Sequence, residues 1–317
     1  MNNSEKTSTY LYLKENEYVM TLPRVVVGGK ARNFYPNSLL WLFFTKIKSL
    51  KTIISYLIYA IKGWGWIEKT RKLRKRGVLV NAIVIGNGPS QGYLDVNTLT
   101  EFKRNGGELI CVNFWTDNEL LNKVVPTYLV SSDPIIFSNN IPGHLREKHE
   151  KLLSYMHENS SIVLVCPLTR CNELSKIFGR ERIIGFVDHE LRLWSDNINP
   201  LYPRGYLSMT LYKALALANW FDYRNIYVIG MDNTYPRNIY CDENNKFINH
   251  EIHAGDQDYA VDQSAIYNTV GDGIYEIAQI FFDARKFKNP KILNLDRHSL
   301  TDAFKKTIDS VSDVLNP

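Results

Sequence analysis

The sequence contains few of the residue patterns that bind metals or cross-link a chain. Its four cysteines are scattered, and no spacing between them matches a zinc site. Cys111 and Cys166 lie in apolar, strand-like runs, which predicts buried and reduced thiols. The N-terminus lacks the basic and then apolar layout of a secretion signal. We therefore expect a cytoplasmic protein without a structural metal or a disulfide framework.

The net charge of the chain is also small. The formal net charge is +5, which does not predict nucleic-acid binding. Hydrophobic residues make up 44% and charged residues 22% of the chain, a composition typical of a globular protein. The basic residues are nevertheless concentrated at residues 62–76, where Glu68 is the single acid. A local patch of this kind suits an anionic surface such as a lipid leaflet.

Residues 1–77 differ from the rest of the chain and are predicted to form a helical extension. The apolar stretch at residues 39–66 is interrupted by Lys46, Lys48 and Lys51, whereas a membrane-spanning helix needs about 20 largely uncharged residues. Two interpretations stay open. One is a helix in the interface of a membrane, at the inner face of the cytoplasmic membrane. The other is a helical hairpin packed on the domain or on a second subunit, which would make the protein a homo-oligomer.

From residue 78 to residue 317, apolar β-rich segments alternate with helical ones. Strands are predicted at residues 78–85, 108–112, 127–130, 161–165, 182–187, 225–229 and 291–295, and helices at residues 99–104, 144–157, 173–178, 207–220 and 274–286. This alternation predicts one α/β domain with a doubly wound, mostly parallel, Rossmann-like sheet. Residues 232–262 are polar and are predicted to form a long irregular loop, of the kind that often serves as a lid or a binding loop.

Ligands of such sheets bind beyond the carboxyl ends of the strands. The first predicted strand is followed by Gly-Asn-Gly-Pro-Ser at residues 86–90, which lacks the third glycine of the dinucleotide fingerprint. Asn113, rather than an acid, follows the second strand, and no Gly-Lys-Ser/Thr follows the first turn, so the turn is not a P-loop either. Further small or polar residues follow later strands, at Asp133, Gly230 and Asp232.

Two other features carry candidate chemistry. Arg204 precedes a predicted helix, and its guanidinium is suited to bidentate binding of phosphate or carboxylate. The long loop contains His250 and His253 beside acids, without the His-Glu-x-x-His spacing of a metalloprotease. A loop histidine can take the proton of a substrate hydroxyl near neutral pH.

Together, these motifs resemble glycosyltransferase family 42, the bacterial sialyltransferases that use CMP-sialic acid. Residues 86–90 are similar to the family's N-terminal turn. Arg204 with Ser208, and the strand that runs into Gly230, Met231 and Asp232, look like its Arg-x-Thr-Ser-Gly helix and its strand ending in Gly-Ile-Asp. The same Gly-x-Gly-Pro-Ser opening occurs in unknown-function family 115, a pterin pyrophosphokinase-like group. The resemblance covers residues 82–304 and implies a variant of the GT-A-like fold.

The resemblance also implies roles for individual residues. The residues that would bind the nucleotide are Gly86, Asn87, Gly88, Ser90, Asn113, Asp133, Ser208, Gly230 and Asp232. Arg204 and Tyr235 would steady the leaving phosphate. The family's histidine base falls near Tyr267, but an unperturbed tyrosine pKa near 10 is poor for a base at neutral pH, so we prefer His253, with His250 and Tyr267 as the other candidates. The family has Asn where this chain has Asp133.

The resulting hypothesis is a membrane-peripheral glycosyltransferase that uses a nucleotide sugar and a bacterial surface glycan or glycolipid acceptor. The donor would be a CMP-linked acidic sugar, sialic acid or one like Kdo, and no metal or other cofactor is expected because CMP carries one phosphate. One alternative is a pyrophosphokinase-like diphosphate transferase that uses ATP and Mg²⁺, with Asp133, Asp232 and Asp256 as metal ligands. Another is a non-catalytic nucleotide-binding subunit.

Overall fold

The computed structural model of the 317-residue chain describes residues 24–27, 30–33, 39–74, 80–113, 120, 123–132, 143–191, 195–233, 236, 239–241, 247–249, 270–287, 289, 291–307 and 309–316. Several residues singled out above lie outside these ranges: Asp133, Tyr235, His250, His253, Asp256 and Tyr267.

The N-terminal part is a short hairpin followed by two helices. Strands β1 (Arg24–Val27) and β2 (Lys30–Asn33) pair antiparallel. Helix α1 (Leu39–Lys62) is followed almost at once by α2 (Trp64–Lys72). The predicted helical extension is thus confirmed at residues 39–72. Among the described residues, no helix is both long enough and apolar enough to cross a bilayer.

The rest of the chain alternates strands and helices as predicted. The strands are β3 (Ala82–Ile85), β4 (Glu108–Val112), β5 (Tyr128–Val130), β6 (Val163–Pro167), β7 (Ile183–Phe186), β8 (Ile226–Ile229), β9 (Ile239–Cys241), β10 (Phe247–Asn249), β11 (Ile292–Asn294) and β12 (Lys305–Lys306). The helices are α3 (Val96–Arg104), α4 (Gly143–Glu158), α5 (Cys171–Phe178), α6 (Thr210–Phe221), α7 (Val270–Ala284) and α8 (Val311–Leu315). The seven predicted strands all form, within a few residues of the predicted bounds.

Eight strands form one sheet in the order β12-β11-β8-β3-β4-β5-β6-β7, and every neighbouring pair is parallel. The chain starts at β3 and moves outward through β4, β5, β6 and β7. It then returns to the other side of β3 to form β8, β11 and β12. The ends of β3 and β8 therefore lie at the topological switch point, where open α/β sheets form their ligand crevice. The α/β, doubly wound prediction is confirmed.

Helices cover both faces of the sheet because its strands are apolar on both sides. On one face, α6 packs on β3, β4 and β5, and residues such as Ala214 and Leu215 are fully buried with Val84 and Ile110. On the other face, a second apolar core includes Ile83, Leu99 of α3, and Leu174 of α5. Free, buried thiols were predicted, and Cys111, Cys166 and Cys171 confirm the prediction.

Helix α2 packs against the edge strand β7. The Thr70 hydroxyl donates to the carbonyl of Gly185 at 2.8 Å, and the Lys69 ammonium donates to the carbonyl of Ile183 at 2.8 Å. Trp66 and Ile67 are buried in the apolar core of this face. The domain boundary at residue 77 stays a prediction. Helix α2 precedes this boundary in the sequence and nevertheless packs on the sheet.

Two local expectations were wrong, and one edge strand was missed. The helix expected from residue 207 begins at Thr210. The long loop at residues 232–262 is not wholly irregular, since β9 and β10 form an antiparallel hairpin within it. The parallel edge strand β12 was not predicted, because two lysines carry no apolar strand signal.

Candidate functional site

The first feature of the site is a backbone contact between Gly86 and Gly230, the residues that follow β3 and β8. The Gly86 N–H donates to the carbonyl of Ile229 at 2.8 Å. A Cβ on Gly86 would lie 2.4 Å from the Gly230 oxygen, and a Cβ on Gly230 would lie 2.3 Å from the Gly86 oxygen. Gly230 also has a φ of +73°, which favours glycine. Both residues must therefore lack a side chain for the two strand ends to meet.

The loops beyond this contact are joined by Ser90 and Asp232. The Ser90 N–H donates to Asp232 Oδ1 at 3.0 Å, and the Ser90 hydroxyl donates to Oδ2 at 2.9 Å. The same hydroxyl accepts the Gly230 N–H at 2.9 Å. A Cβ on Gly88 would lie 2.0 Å from Asp232 Oδ2, so this glycine makes room for the carboxylate. The Gly-x-Gly-Pro-Ser turn and the Gly-Met-Asp segment thus form one hydrogen-bonded unit.

Asp232 is the charged member of this unit. Burial raises the pKa of its carboxyl, and Asp296 adds to the effect, while the hydrogen bonds from Ser90 oppose it. The carboxylate lies at the start of the short 3₁₀ helix at Pro89–Tyr93, where free N–H groups favour an anion. Both Ser90 donors are directed at Asp232, so a phosphate bound nearby needs other donors. Nucleotide binding by Ser90 and Asp232 stays a prediction.

Three polar residues, Asn87, Asn113 and Ser131, follow the carboxyl ends of β3, β4 and β5. The register pairs Ile85 with Cys111 and Val112 with Val130. Continuing it by one or two residues aligns Asn87, Asn113 and Ser131 in one row across the ends of β3, β4 and β5. Neighbouring strands are about 4.8 Å apart, so this row lies within reach of a single small ligand.

Two members of this row have unsatisfied polar atoms. Asn113 has a φ of +47°, a conformation that asparagine tolerates better than most residues. Its N–H donates to the carbonyl of Val130 at 2.9 Å, but its buried Oδ1 has no hydrogen-bond partner among the described residues. The fully buried Ser131 hydroxyl likewise has none within that part of the chain. Such atoms cost about 1–3 kcal/mol each unless a ligand or water satisfies them.

Arg204 belongs to a second polar cluster, beyond the end of β7. Its Nε donates to Asp188 Oδ1 at 3.0 Å, and its Nη2 lies 2.9 Å from Glu190 Oε2. Its Nη1 donates to the carbonyl of Tyr206. Every guanidinium nitrogen of this buried arginine thus has a protein partner. Its predicted contact with the leaving phosphate is untested, and requires one of these partners to be exchanged.

Lys213 and Ser208 complete this cluster. The Lys213 ammonium lies 2.9 Å from Asp188 Oδ1 and donates to the Ser208 hydroxyl at 3.0 Å, and the side chain is almost wholly buried. Lys213 belongs to the first turn of α6. At the first residue of α6, the Thr210 hydroxyl forms a hydrogen bond of 2.7 Å with the Ser132 hydroxyl. The start of α6 therefore links the end of β5 with the end of β7.

The two clusters are distinct but adjacent. Two steps of about 4.8 Å separate the end of β5, where the row of Asn87, Asn113 and Ser131 ends, from the end of β7, a distance of roughly 10 Å. The structure brings together the predicted residues Gly86, Asn87, Gly88, Ser90, Asn113, Gly230 and Asp232 at the switch point. It places Arg204 and Ser208 in the other cluster. Asp133, Tyr235 and His253 lie outside the described residues.

Sequence reasoning placed Ser131 among the residues at strand ends without giving it a role, and it missed Asp188, His189 and Lys213. Ser131 directly follows a predicted strand, but a serine there carries less signal than the neighbouring Asp133. A cavity of about 180 Å³ lies at the ends of β6 and β7, and Asp188 and His189 line it together with Pro167, Leu168 and Thr169. His189 Nε2 lies 3.0 Å from the Ser55 hydroxyl of α1. Burial lowers the pKa of His189, and Arg204 adds to this, while Asp188 opposes it.

Fold and site together define an α/β protein of the open parallel-sheet class, with paired glycine turns at the switch point. No protein-family model matches the sequence, and no curated protein matches it. The solved structure of the MAf glycosyltransferase from Magnetospirillum magneticum AMB-1 is similar, with 13% identity and a TM-score of 0.42. The similarity covers 78% of this chain and 40% of that one, so the chain spans less than half of that structure. A similarity at these values is no evidence about the activity or the substrate of this chain.

Proposed function

We propose that the protein is a glycosyltransferase that moves an acidic sugar, sialic acid or one like Kdo, from a CMP-activated donor to a bacterial surface glycan. The observation that carries the proposal is the pair of unsatisfied polar atoms, Asn113 Oδ1 and Ser131 Oγ, beside the Gly86–Gly230 contact at the switch point. The resemblance of residues 86–90 and of Gly230 to Asp232 to family 42 supports the same assignment.

The nucleoside of the donor is proposed to bind along the row of Asn87, Asn113 and Ser131. An amide oxygen accepts from an amino or hydroxyl group, and a serine hydroxyl both donates and accepts, so these groups match the edge of cytosine and the ribose hydroxyls. The glycines at positions 86 and 88 let the turn after β3 pack closely on Gly230 and Asp232, which fixes the β3 end of this row. Ser90 and Asp232 would act here by holding the two turns in place.

The proposed reaction is a displacement at the anomeric carbon of the sugar. His253 takes the proton of an acceptor hydroxyl, and the oxygen forms the new glycosidic bond. The bond between the anomeric carbon and the phosphate oxygen breaks, and CMP leaves with the electron pair. Charge on the departing phosphate would be offset by Tyr235 and by Arg204. Asp133 and Ser208 are proposed to contact the nucleotide.

The experiment that tests the donor class is a thermal-shift series with CMP, UDP, GDP and ATP, each with and without Mg²⁺. We expect CMP alone to raise the Tm by several degrees, since a ligand that binds only the native state stabilises it by RT ln(1 + [L]/Kd). A shift with ATP that requires Mg²⁺ would instead support a diphosphate transferase. Binding of CMP without sugar transfer, and with no effect of His253→Ala, would support a non-catalytic nucleotide-binding subunit.

A further inference from the structure

Helix α1 exposes an unusually apolar face. The exposed aliphatic residues in the described part of this helix are Ile47, Leu50, Ile53, Ile54, Leu57, Ile58 and Ile61, and Trp64 follows at the start of α2. At 3.6 residues per turn, the seven α1 residues cover an arc of about 140° on one side of the helix. Ile61 is 78% exposed and Leu50 is 58% exposed, so these side chains are not covered by the domain. We call this surface the α1 stripe.

The opposite side of α1 is attached to the sheet. The Ser55 hydroxyl is 3.0 Å from His189 Nε2, and the rings of Tyr56 and Tyr59 lie 6.2 Å and 5.5 Å from the His189 ring. Tyr56 and Ala60 pack on the apolar core. The orientation of the helix is thus set by contacts on its inner side. His189 follows β7, so the outward-facing α1 stripe lies beside the carboxyl edge of the sheet.

The charged side chains of helix α1 itself all have one sign. Helix α1 contains four lysines and no acidic residue. Lys51 and Lys62 are exposed and fall on one border of the stripe, and no acidic side chain of the described residues pairs with them. At the C-terminal end, the guanidinium of Arg71, which also pairs with Glu68, lies 5.5 Å from the exposed ring of Trp64. The apolar surface is therefore bordered by cations.

We propose that the α1 stripe docks on the surface of an anionic lipid bilayer, with α1 lying in the plane of the membrane. An interfacial helix of this kind places apolar side chains at the acyl boundary and its lysines toward acidic headgroups. Trp64 has the amphipathic ring that is enriched at this depth. The proposal does not depend on the nucleotide site.

The charges distinguish a bilayer from a second copy of the chain. Two antiparallel copies of α1 joined through the stripe would bring the same border of each helix together, so Lys51 of one copy would face Lys62 of the other. Like charges opposed across an interface disfavour association, and α1 has no acid to relieve them in either orientation. An anionic leaflet supplies the opposite charge along the whole border.

The test is co-sedimentation of the full chain with vesicles of phosphatidylglycerol and phosphatidylethanolamine, compared with vesicles of phosphatidylcholine and with no vesicles. We expect binding to the anionic vesicles that weakens as salt is raised, because exposed charges are screened. The variant Leu57→Gln/Ile61→Gln should lose this binding by more than tenfold. Its control is Ile177→Gln on α5, which removes an apolar side chain that is about as exposed as Leu57 and lies away from the stripe.

A second pair of variants tests the lysines. Lys51→Gln and Lys62→Gln should each lower the partition onto anionic vesicles by about fivefold, whereas Lys176→Gln, an exposed lysine on α5, should leave it unchanged. All these sites are exposed, and equal Tm values would show that the variants fold. Absence of vesicle binding by the native chain would overturn the proposal. So would a dimer in analytical ultracentrifugation that Leu57→Gln/Ile61→Gln abolishes, since that result assigns the stripe to a second copy.

Discussion

The hydroxyl of Ser90 donates a hydrogen bond of 2.9 Å to Oδ2 of Asp232, although the two residues are 142 positions apart in the sequence. The Ser90 N–H donates to the other carboxylate oxygen, and the Gly230 N–H donates to the Ser90 hydroxyl. One serine side chain therefore joins the turn after β3 to the turn after β8. This contact adds to the backbone hydrogen bonds that the Gly86 and Gly88 N–H groups donate to the carbonyls of Ile229 and Gly230.

Removing this hydroxyl should lower the stability of the fold. In Ser90→Ala, Asp232 Oδ2 loses a donor and the Gly230 N–H loses its acceptor, both in a buried position, so we expect the free energy of unfolding to fall by about 2–4 kcal/mol. Urea denaturation measures it. Ser175→Ala, which removes a hydroxyl bonded to a carbonyl on the exposed side of α5, is the control and should change stability by less than about 0.5 kcal/mol. Equal effects of the two substitutions would contradict the proposed importance of the Ser90 contact.

The contact between Gly86 and Gly230 predicts a second stability difference. In Gly230→Ala the new methyl group would meet the Gly86 oxygen at 2.3 Å, and the residue would keep an unfavourable positive φ, so we expect a loss of more than about 3 kcal/mol or failure to fold. Gly92→Ala is the matched control, because a Cβ there meets no atom within 4 Å. It should be neutral or slightly stabilising. A Gly230→Ala protein with native Tm would show that the two strand ends can separate freely.

The ion pairs around Arg204 predict that one isosteric substitution should lower the free energy of unfolding strongly. Asp188→Asn would remove the carboxylate charge that pairs with the buried ammonium of Lys213 and the guanidinium of Arg204. The free energy of unfolding should therefore fall by about 3 kcal/mol. Asp302→Asn removes the same charge from the exposed pair with Arg285 and should cost less than about 1 kcal/mol. If the Asp188→Asn protein were as stable as the Asp302→Asn protein, the buried pairs would contribute little.

Protonation of His189 should destabilise the protein in mildly acidic solution. Its pKa is lower in the folded chain than its ordinary value of 6.5, mainly because of burial. The unfolded state therefore binds the proton more readily, and stability should decrease as the pH falls from about 6.5 through the lower pKa of the folded state. His189→Gln should reduce this slope in urea titrations between pH 7.5 and 5.5. It should not abolish it, because burial also lowers the pKa of His149. An unchanged slope would mean that His189 does not titrate in this window.

Ser131 and Ser132 form a matched pair for the nucleotide site. The Ser131 hydroxyl is buried without a partner in the described part of the chain, so Ser131→Ala should leave the Tm of the free protein unchanged or raise it. It should also reduce the Tm shift produced by CMP, if this hydroxyl contacts the nucleotide. Ser132→Ala breaks the hydrogen bond to Thr210 and should lower the stability of the free protein by about 1 kcal/mol, while keeping the shift with CMP. The reverse pattern would remove Ser131 from the site.

Much of the fold follows from local patterns in the chain. The strand predicted at residues 108–112 forms at those residues, and the order of strands and helices is as expected, because buried parallel strands require continuous apolar runs. The positions of Gly86, Asn113 and Gly230 at strand ends were predicted for the same reason. The short strand β12 and the hairpin of β9 and β10 were not, because their pairing partners rather than their composition determine them.

The amino-acid sequence by itself determined an α/β domain, polar and small residues at the strand ends, and a helical, lysine-containing N-terminal segment. Only the tertiary structure decided that Gly88 makes room for Asp232, that the guanidinium of Arg204 is held by Asp188 and Glu190, and which side of α1 remains exposed. The physical reason is the difference in sequence separation between local patterns and tertiary contacts. Periodicity and composition act over a few neighbouring residues, whereas these contacts join segments far apart in the chain and depend on which strands lie side by side.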